Sequence, residues 1–425
     1  MRRGHSGLAV VATGALGLGL FAGVGMGGRQ GAHAVPSQLR MGVLVPLTGA
    51  LKDFGAPNRR AAFLGRDEIN RAAKKAGIAF TVRTFAANTE TDPKAAQEAA
   101  TKVIDGNGAS CVVGPMASSE VIAVAQNVSL DAEVPIISPS STAADVRTKV
   151  KDEGFVFRTP VPDTLQGPVL AERVIAAFGK GATVNVAAQN DAYGVGLAKT
   201  FTAAFKKLGG KVGKTVIFNP GASTLDSEAG QIVQGNPDGF VIVTFPTTYD
   251  KLGPALVRTG KWDPKKTWGT DGIRSVDLPK TSGLPATEGV RGTSATDRGN
   301  PNAAPFDRLW KVRKLGKRQT YDAQMFDAAV LCALATVRAG STDGAKIAKQ
   351  VRVVSGPPGT KYTFLQLPQA LKAVAAGKDI DYQGASGAID LFRDGDPGAG
   401  NYVVWRYTGG KLVDGTIIYR ARKGA

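Results

Sequence analysis

The stretch spanning residues 111–142 constrains this chain most. A short apolar run, Cys111-Val112-Val113, breaks at Gly114-Pro115. Ser118-Ser119-Glu120 follows, then an apolar pattern through Val121, Ile122, Val124, Ala125, Val128 and Leu130. A second apolar run, residues 134–137, ends in Ser138-Pro139-Ser140-Ser141-Thr142. The first run is too short for a helix and is closed by breakers, so the order reads strand, helix, strand. Ala117 or Ser118 stands where an N-cap belongs, and Glu120 falls in the first turn, where the helix dipole favours an acid. Two strands joined by one helix are most simply parallel, with a right-handed crossover.

That topology has a chemical consequence. Ligands bind such sheets beyond the carboxyl ends of the strands. Both hydroxyl-rich loops, Ser118-Ser119 and Ser140-Ser141-Thr142, leave that edge. The first also opens a helix, so its unpaired N–H groups suit an anion, and a carboxylate is the natural guest. The same serines also suit plain service as caps and turn residues. Both readings stand at this point.

The start of the chain belongs to targeting rather than to the fold. Arg2-Arg3 precede an apolar, glycine-rich run, and Ala32-His33-Ala34 reads as a small-x-small cleavage site. Residues 1–34 are therefore expected to be a secretory signal peptide, with the mature chain starting near Val35. No Cys follows the apolar run, so the usual lipoprotein attachment point is missing. Gly23-x-Gly25-x-x-Gly28 matches a dinucleotide fingerprint by pattern only, because no strand precedes it. Gly213-Lys214-Thr215 ends like a phosphate-binding loop, but Leu208 stands where the first Gly is needed.

Composition narrows the chemistry. The only histidines are His5 and His33, both in the leader. A mature chain without His excludes Ser-His-Asp and Cys-His catalysis and any His-ligated metal. No metal and no cofactor is expected. Cys111 and Cys332 sit in apolar runs without metal-like spacing; small core residues are the first reading and a disulfide the second. The formal charge is +18, and removing the leader's Arg2, Arg3 and Arg29 lowers it by three. Nucleic-acid binding would want the basic residues interleaved with aromatics. Here pairs such as Arg59-Arg60, Lys74-Lys75 and Lys206-Lys207 read as solvated helix faces. An exported basic chain also suits adhesion to anionic polymers or lipids.

Taken in order, residues 39–47 read as a strand and a loop carrying Phe54 follows. Helix (58–76), strand (80–85) and helix (93–105) lead into the opening stretch, and residues 155–159 form another strand. A second set follows: helix 164–178, strand 183–188, helix 194–208, strand 211–218, strand 240–244, helix 249–258 and strand 266–268. Helices near 304–315, 321–339, 343–353 and 367–376 come next, and residues 387–419 read as strands. Two successive strand–helix sets of similar size argue for two α/β lobes.

Five motifs in this order resemble one family. They are Gly42-Val43-Leu44-Val45-Pro46-Leu47-Thr48-Gly49, Val113-Gly114-Pro115 with Ser118-Ser119, Ile137-Ser138-Pro139 with Thr142, Asp191-Ala192-Tyr193-Gly194, and Gly269-Thr270-Asp271-Gly272. The chain resembles the bacterial extracellular solute-binding proteins of the leucine/isoleucine/valine-binding type. The resemblance implies two doubly wound α/β lobes joined by three crossovers, near residues 160–163, 292–297 and 384–392, with a ligand cleft between them. Residues 35–161 with 295–387 would form the first lobe, and 162–294 with 388–425 the second.

It also implies roles. Ser118 and Thr142 would hold a ligand carboxylate, with Ser119 and Ser141 beside them. Tyr193 would close from the second lobe, Asp271 would receive an ammonium, and Phe54 would form an aromatic wall. An acid facing hydroxyls and amide donors across one cleft suits a zwitterion. The resemblance implies a monomeric, non-catalytic protein of the periplasm or cell envelope, which delivers an amino acid or related carboxylate to an ABC permease and binds no nucleic acid. A sensor that presents its ligand to a receptor is a second reading. An exported enzyme using acids such as Asp53 and Asp271 is a third. Pro246-Thr247 departs from the family pattern, which often has an aromatic or small polar contact there.

Overall fold

Five apolar runs of the first half pair side by side in the computed structural model, which describes residues 34–422 apart from Glu153. They are β1 (Gln38–Val45), β2 (Thr81–Asn88), β3 (Cys111–Val113), β4 (Ile136–Ser138) and β5 (Val156–Arg158). Their order is β2-β1-β3-β4-β5, and every pairing is parallel. The strand order reverses between β1 and β3. The carboxyl ends of those two strands are where such a sheet leaves a crevice for a ligand.

A second sheet repeats the logic. β6 (Thr183–Gln189), β7 (Lys211–Phe218), β8 (Gly239–Val243), β9 (Thr267–Gly269) and β10 (Arg291–Thr296) pair in parallel. After a small separate pair, β11 (Thr360–Thr363) with β12 (Ile380–Gln383), the chain returns. β13 (Ala399–Thr408) and β14 (Lys411–Ala421) then extend the second sheet as an antiparallel hairpin beside β10. The order is β14-β13-β10-β9-β8-β6-β7, so the reversal falls between β6 and β8. The chain passes between the sheets after β5, after β10 and before β13. The described residues form one compact unit, and the leader read at residues 1–34 lies, but for Ala34, outside them.

Helices cover the sheets. α1 (Lys52–Ala76), α2 (Pro93–Thr101) and α3 (Ser118–Val124) lie with the first sheet, and α4 (Asp163–Phe178), α5 (Ala192–Lys207) and α6 (Pro246–Arg258) with the second. α7 (Ala303–Val312) and α8 (Asp322–Ala339) follow β10. α8 is buried from Asp322 to Val337 and packs against α1 and β3. No single described helix is long and apolar enough to cross a membrane.

Three sequence expectations need correcting. Phe54 is not in a loop, because α1 starts at Lys52 and runs through Pro57. Proline inside a helix normally marks its start, which is why the expected helix began too late. Residues 387–398 form only isolated bridges rather than a strand; Arg393-Asp394-Gly395-Asp396-Pro397-Gly398 is turn chemistry. Cys111 and Cys332 are joined as a disulfide, their Cα atoms 6.1 Å apart, so the second reading of these residues holds rather than the first. They are 221 residues apart in sequence. Only the packing of α8 on β3 brings them together.

Candidate functional site

The first wall is built from loops that leave β1, β3 and β4. Phe54 sits in the first turn of α1, fully buried. A Cβ on Gly55 would lie 1.9 Å from Pro46 O, so glycine lets this helix seat directly on the end of β1. β3 ends at Gly114, with φ +94, where a Cβ would meet Leu44 O at 2.1 Å. The chain then turns into α3 with Ser118 as its first residue. Glu120 reaches back to accept the Ala117 N–H at 2.9 Å, one half of a capping box. Burial pushes the Glu120 carboxyl up to about 8.

The loop after β4 is pinned onto this turn. Ser138 Oγ donates to Pro115 O at 2.7 Å, and Ser140 Oγ donates to Met116 O at 2.8 Å. Ser141 Oγ donates to Ser118 Oγ at 3.3 Å, and the Ala143 N–H donates to the same oxygen at 3.2 Å. Beneath the loop, buried Arg158 on β5 donates to Ala143 O at 2.8 Å and grips Asp396 through both of its oxygens. Arg147 joins the same carboxylate. Burial pushes Asp396 up, but the two guanidiniums outweigh it and hold the acid below the usual carboxylate range.

The second wall centres on Asp271. Asp191 caps α5, accepting the Gly194 N–H at 2.6 Å, and so sets Tyr193 in the first turn. The Tyr193 ring stacks on Phe245, with centroids 5.2 Å apart and planes 11° from parallel. Tyr193 Oη lies 2.7 Å from Thr270 Oγ1 and donates to Asp271 Oδ1 at 3.0 Å. Gln166 on α4 donates to the same oxygen at 2.7 Å, and Tyr321 donates to Asp271 Oδ2 at 2.8 Å. Burial raises the Asp271 carboxyl, and these three donors work against that rise. Tyr321 has φ +72, just before α8. A left-handed conformation is an outlier for a bulky residue, and such outliers gather at functional sites.

A small cavity of about 20 Å³ lies between the walls. Phe54, Ser118, Tyr193 and Asp271 line it together. The other expected residues fall outside its lining. Ser141 holds Ser118 through its hydroxyl, Thr142 is fully buried, and Ser119 is half-exposed. Ser140 of the expected hydroxyl loop also lines it, and Leu51, Met116, Ala117, Phe245, Gly272 and Tyr321, which were not expected, complete the lining. Phe245 supplies the aromatic contact one residue before the Pro246-Thr247 departure. At the mouth the walls touch. The Thr247 N–H donates to Ala50 O and its hydroxyl to Gly49 O, both at 3.3 Å, and Ser275 Oγ donates to Asp53 Oδ2 at 2.8 Å.

A second acid stands behind Asp271. Asp163 is fully buried at the start of α4, one helical turn before Gln166. Its N–H donates to Thr142 O at 2.9 Å. The Thr142 hydroxyl beside Asp163 favours its charged form, while Gln166 Oε1 and Thr293 Oγ1 are buried without a hydrogen-bond partner among the described residues. Buried polar atoms in that condition are costly until a polar group joins them. Burial, and then the charge of Asp271, push the Asp163 carboxyl well above its usual value. The sequence reading missed Asp163. Its signal was available: an acid and an amide three apart in the first turn of a helix that follows a crossover.

Residues 38–411 match the family described as periplasmic binding protein. The chain is 26% identical over 373 residues to the chemotactic signal transduction system substrate-binding protein BasB of Halobacterium salinarum, across 87% of this chain and 86% of that protein. It is 25% identical over 337 residues to the leucine-, isoleucine-, valine-, threonine-, and alanine-binding protein of Pseudomonas aeruginosa, across 78% and 87% of the two chains. Its fold matches the branched-chain amino acid transporter substrate binding protein LivJ of Streptococcus pneumoniae, solved in complex with isoleucine. That match has a TM-score of 0.74 at 18% identity and covers 90% of this chain and 100% of the other. These relatives are ligand-binding proteins rather than enzymes, and so is this chain. With two α/β lobes and a cavity walled by both, it belongs to the periplasmic binding proteins.

Proposed function

We propose that this protein captures an amino acid of branched-chain or similar size outside the cytoplasm and hands it to an ABC importer. The observation that carries the reading is the pairing of walls across one cavity: hydroxyls on one side, a buried carboxylate on the other. The ligand carboxylate faces Ser118 and the N–H groups that open α3, which suit an anion. The ammonium faces Asp271, with Asp163 and Thr142 behind it. The side chain lies among Phe54, Phe245 and Tyr321. The amino-acid-binding name of the Pseudomonas relative supports this choice of ligand, and the leader at residues 1–34 supports export.

The lobes close on the ligand as a hinged clamp, because only the closed state offers both walls at once. The sequence places the bending near Gly292 and Gly384; Gly292 sits inside β10, where a Cβ would lie 2.4 Å from Gly269 O, which favours the loop after that strand over the glycine itself. The bends are assigned to residues 297–302 and 387–398, outside the strands, while Pro160 and Pro162 stiffen the first crossover. A second reading, in which the bound form is presented to a membrane receptor, is favoured by the chemotactic name of the Halobacterium relative.

Isothermal titration with leucine, isoleucine, valine and alanine, each beside its deaminated acid, tests the ligand. One-site binding that prefers the amino acids is expected, with compaction in small-angle scattering. Equal affinity for the deaminated acids, or release of an altered product, would overturn the proposal. Uptake of labelled ligand that survives loss of the permease would favour the receptor reading.

A further inference from the structure

The most basic run of the chain is residues 308–318, Arg-Leu-Trp-Lys-Val-Arg-Lys-Leu-Gly-Lys-Arg, which contains no acid. It forms the end of α7 and the turn after it. Trp310 is 2% exposed and anchors the run from beneath, whereas Val312 is 71% exposed. Across a groove from this run stands Leu365, 60% exposed. The groove is floored by Leu309 and Phe364 and edged by the last turns of α1. Arg71 and Arg313 both bind Glu68, so the acid nearest the groove is neutralised. Lys74, Lys75, Lys311 and Lys314 are exposed and form no ion pair among the described residues. Lys75 and Leu309 line the same groove and Arg313 binds Glu68, so the end of α1 and the end of α7 lie side by side and bring their basic residues into one region.

The position of this face matters. α1 ends at Ala76 and leads into the start of β2, so Lys74 and Lys75 lie at the amino-end edge of the first sheet. The cavity lies beyond the opposite edge. A flat partner on the basic face would leave the cleft and the second lobe free.

We propose that this face docks the first lobe onto an anionic membrane surface, with Val312 and Leu365 entering the headgroup layer between the lysines. A basic face with aliphatic tips is the form that lies in a bilayer interface. Each lysine near an anionic leaflet strengthens binding about fivefold. Nucleic acid suits the face less well, because base stacking needs exposed aromatics and both Trp310 and Phe364 are buried. Docking of this kind retains an exported chain whose leader is followed by no Cys for lipid attachment.

Vesicle sedimentation tests the proposal. Residues 35–425, which hold nearly all of the compact unit, are used because the apolar leader would itself enter a bilayer. Binding is expected to vesicles of phosphatidylcholine mixed with phosphatidylglycerol, to weaken with salt, and to vanish on phosphatidylcholine alone. The K74E/K75E/K311E/K314E variant should bind at least about tenfold more weakly, and V312D/L365D should lose the part that persists at high salt. Unchanged melting and amino-acid titration curves show that both variants remain folded. Equal binding to neutral vesicles would overturn the proposal, as would full binding by either folded variant. So would an equal loss on reversing Lys180, Lys206, Lys207 and Lys211 of the second lobe, because total charge rather than this face would then hold the protein.

Discussion

The two walls of the cavity solve opposite problems. The first wall meets the cavity with hydroxyls. Its hydroxyls find acceptors in neighbouring loops, as when Ser138 and Ser140 bind Pro115 and Met116. The disulfide between β3 and α8 lies beneath it. Such a wall can be complete before any ligand arrives. The second wall carries a buried acid, and burying a charge is expensive unless donors surround it. Asp271 draws its donors from α4, from α5 and from Tyr321, at the head of a helix packed on the first sheet. Its environment is therefore finished only when the lobes are together. The hydroxyl wall is complete in itself and the carboxylate wall draws donors from several elements, so under the proposed clamp the acid side is the one that would sense closure.

Opening the cross-link strikes the preformed side hardest. Cys111→Ser should cost about 2–5 kcal/mol in denaturant unfolding, and hydrogen exchange should rise in β3 and α8 before it rises in β6 and β8. Equal loosening of both sheets would break the comparison.

The next effect is a pH dependence, also on the first wall. Folding raises Glu120 from an ordinary 4.5 to about 8. Between those values the folded chain keeps a proton that the unfolded chain releases, so stability falls as pH rises through this window. From pH 5 to pH 8 the loss is up to about 4 kcal/mol. Glu120→Gln should flatten this slope in melting curves. Asp163 and Asp271 act in the same direction from the other wall, so only the difference between wild type and variant reports on Glu120. An unchanged slope would show that its proton is not held.

Substitution on the acid side should be selective. Asp271→Asn is expected to weaken amino acids by about 1.5–3 kcal/mol, the value of a hydrogen bond to a charged group, while leaving deaminated acids little affected. Ser118→Ala should weaken both ligand types alike, by about 0.5–1.5 kcal/mol. Titration of the two variants with paired ligands separates the walls directly.

The smallest effect belongs to the mouth. Thr247→Val removes the hydroxyl bond to Gly49 O but keeps the N–H bond to Ala50 O. A loss of about 0.5–1 kcal/mol from the closed state follows, visible as a larger mean radius in scattering at subsaturating ligand. No change there would mean that the walls are held by the Asp271 donors and not by the rim.

The first wall was legible because its signals are local. An apolar run, a breaker and a cap lie within a few residues, and the sequence alone marks β3, the turn at Gly114 and the helix at Ser118. Asp191 and Tyr193 were legible for the same reason, a cap followed by a first turn. Phe245 and Tyr321 were not. Each has an ordinary sequence neighbourhood, and its place at the cavity depends on strand order in one case and on an unusual backbone angle in the other. Asp163 had a local signal, yet its meaning lies in standing behind Asp271, more than one hundred residues away in sequence.

Sequence by itself determined the alternation of strands and helices, the loops that carry the serines, and the absence of His after residue 33, because periodicity, breakers and composition act over short distances. Tertiary structure alone decided which polar groups meet: Cys111 with Cys332, Tyr321 and Gln166 with Asp271, Arg313 with Glu68. Those pairings follow from how helices pack on sheets and from where two sheets reverse their order. That geometry sums many small burial terms over the whole chain, and no local stretch contains it.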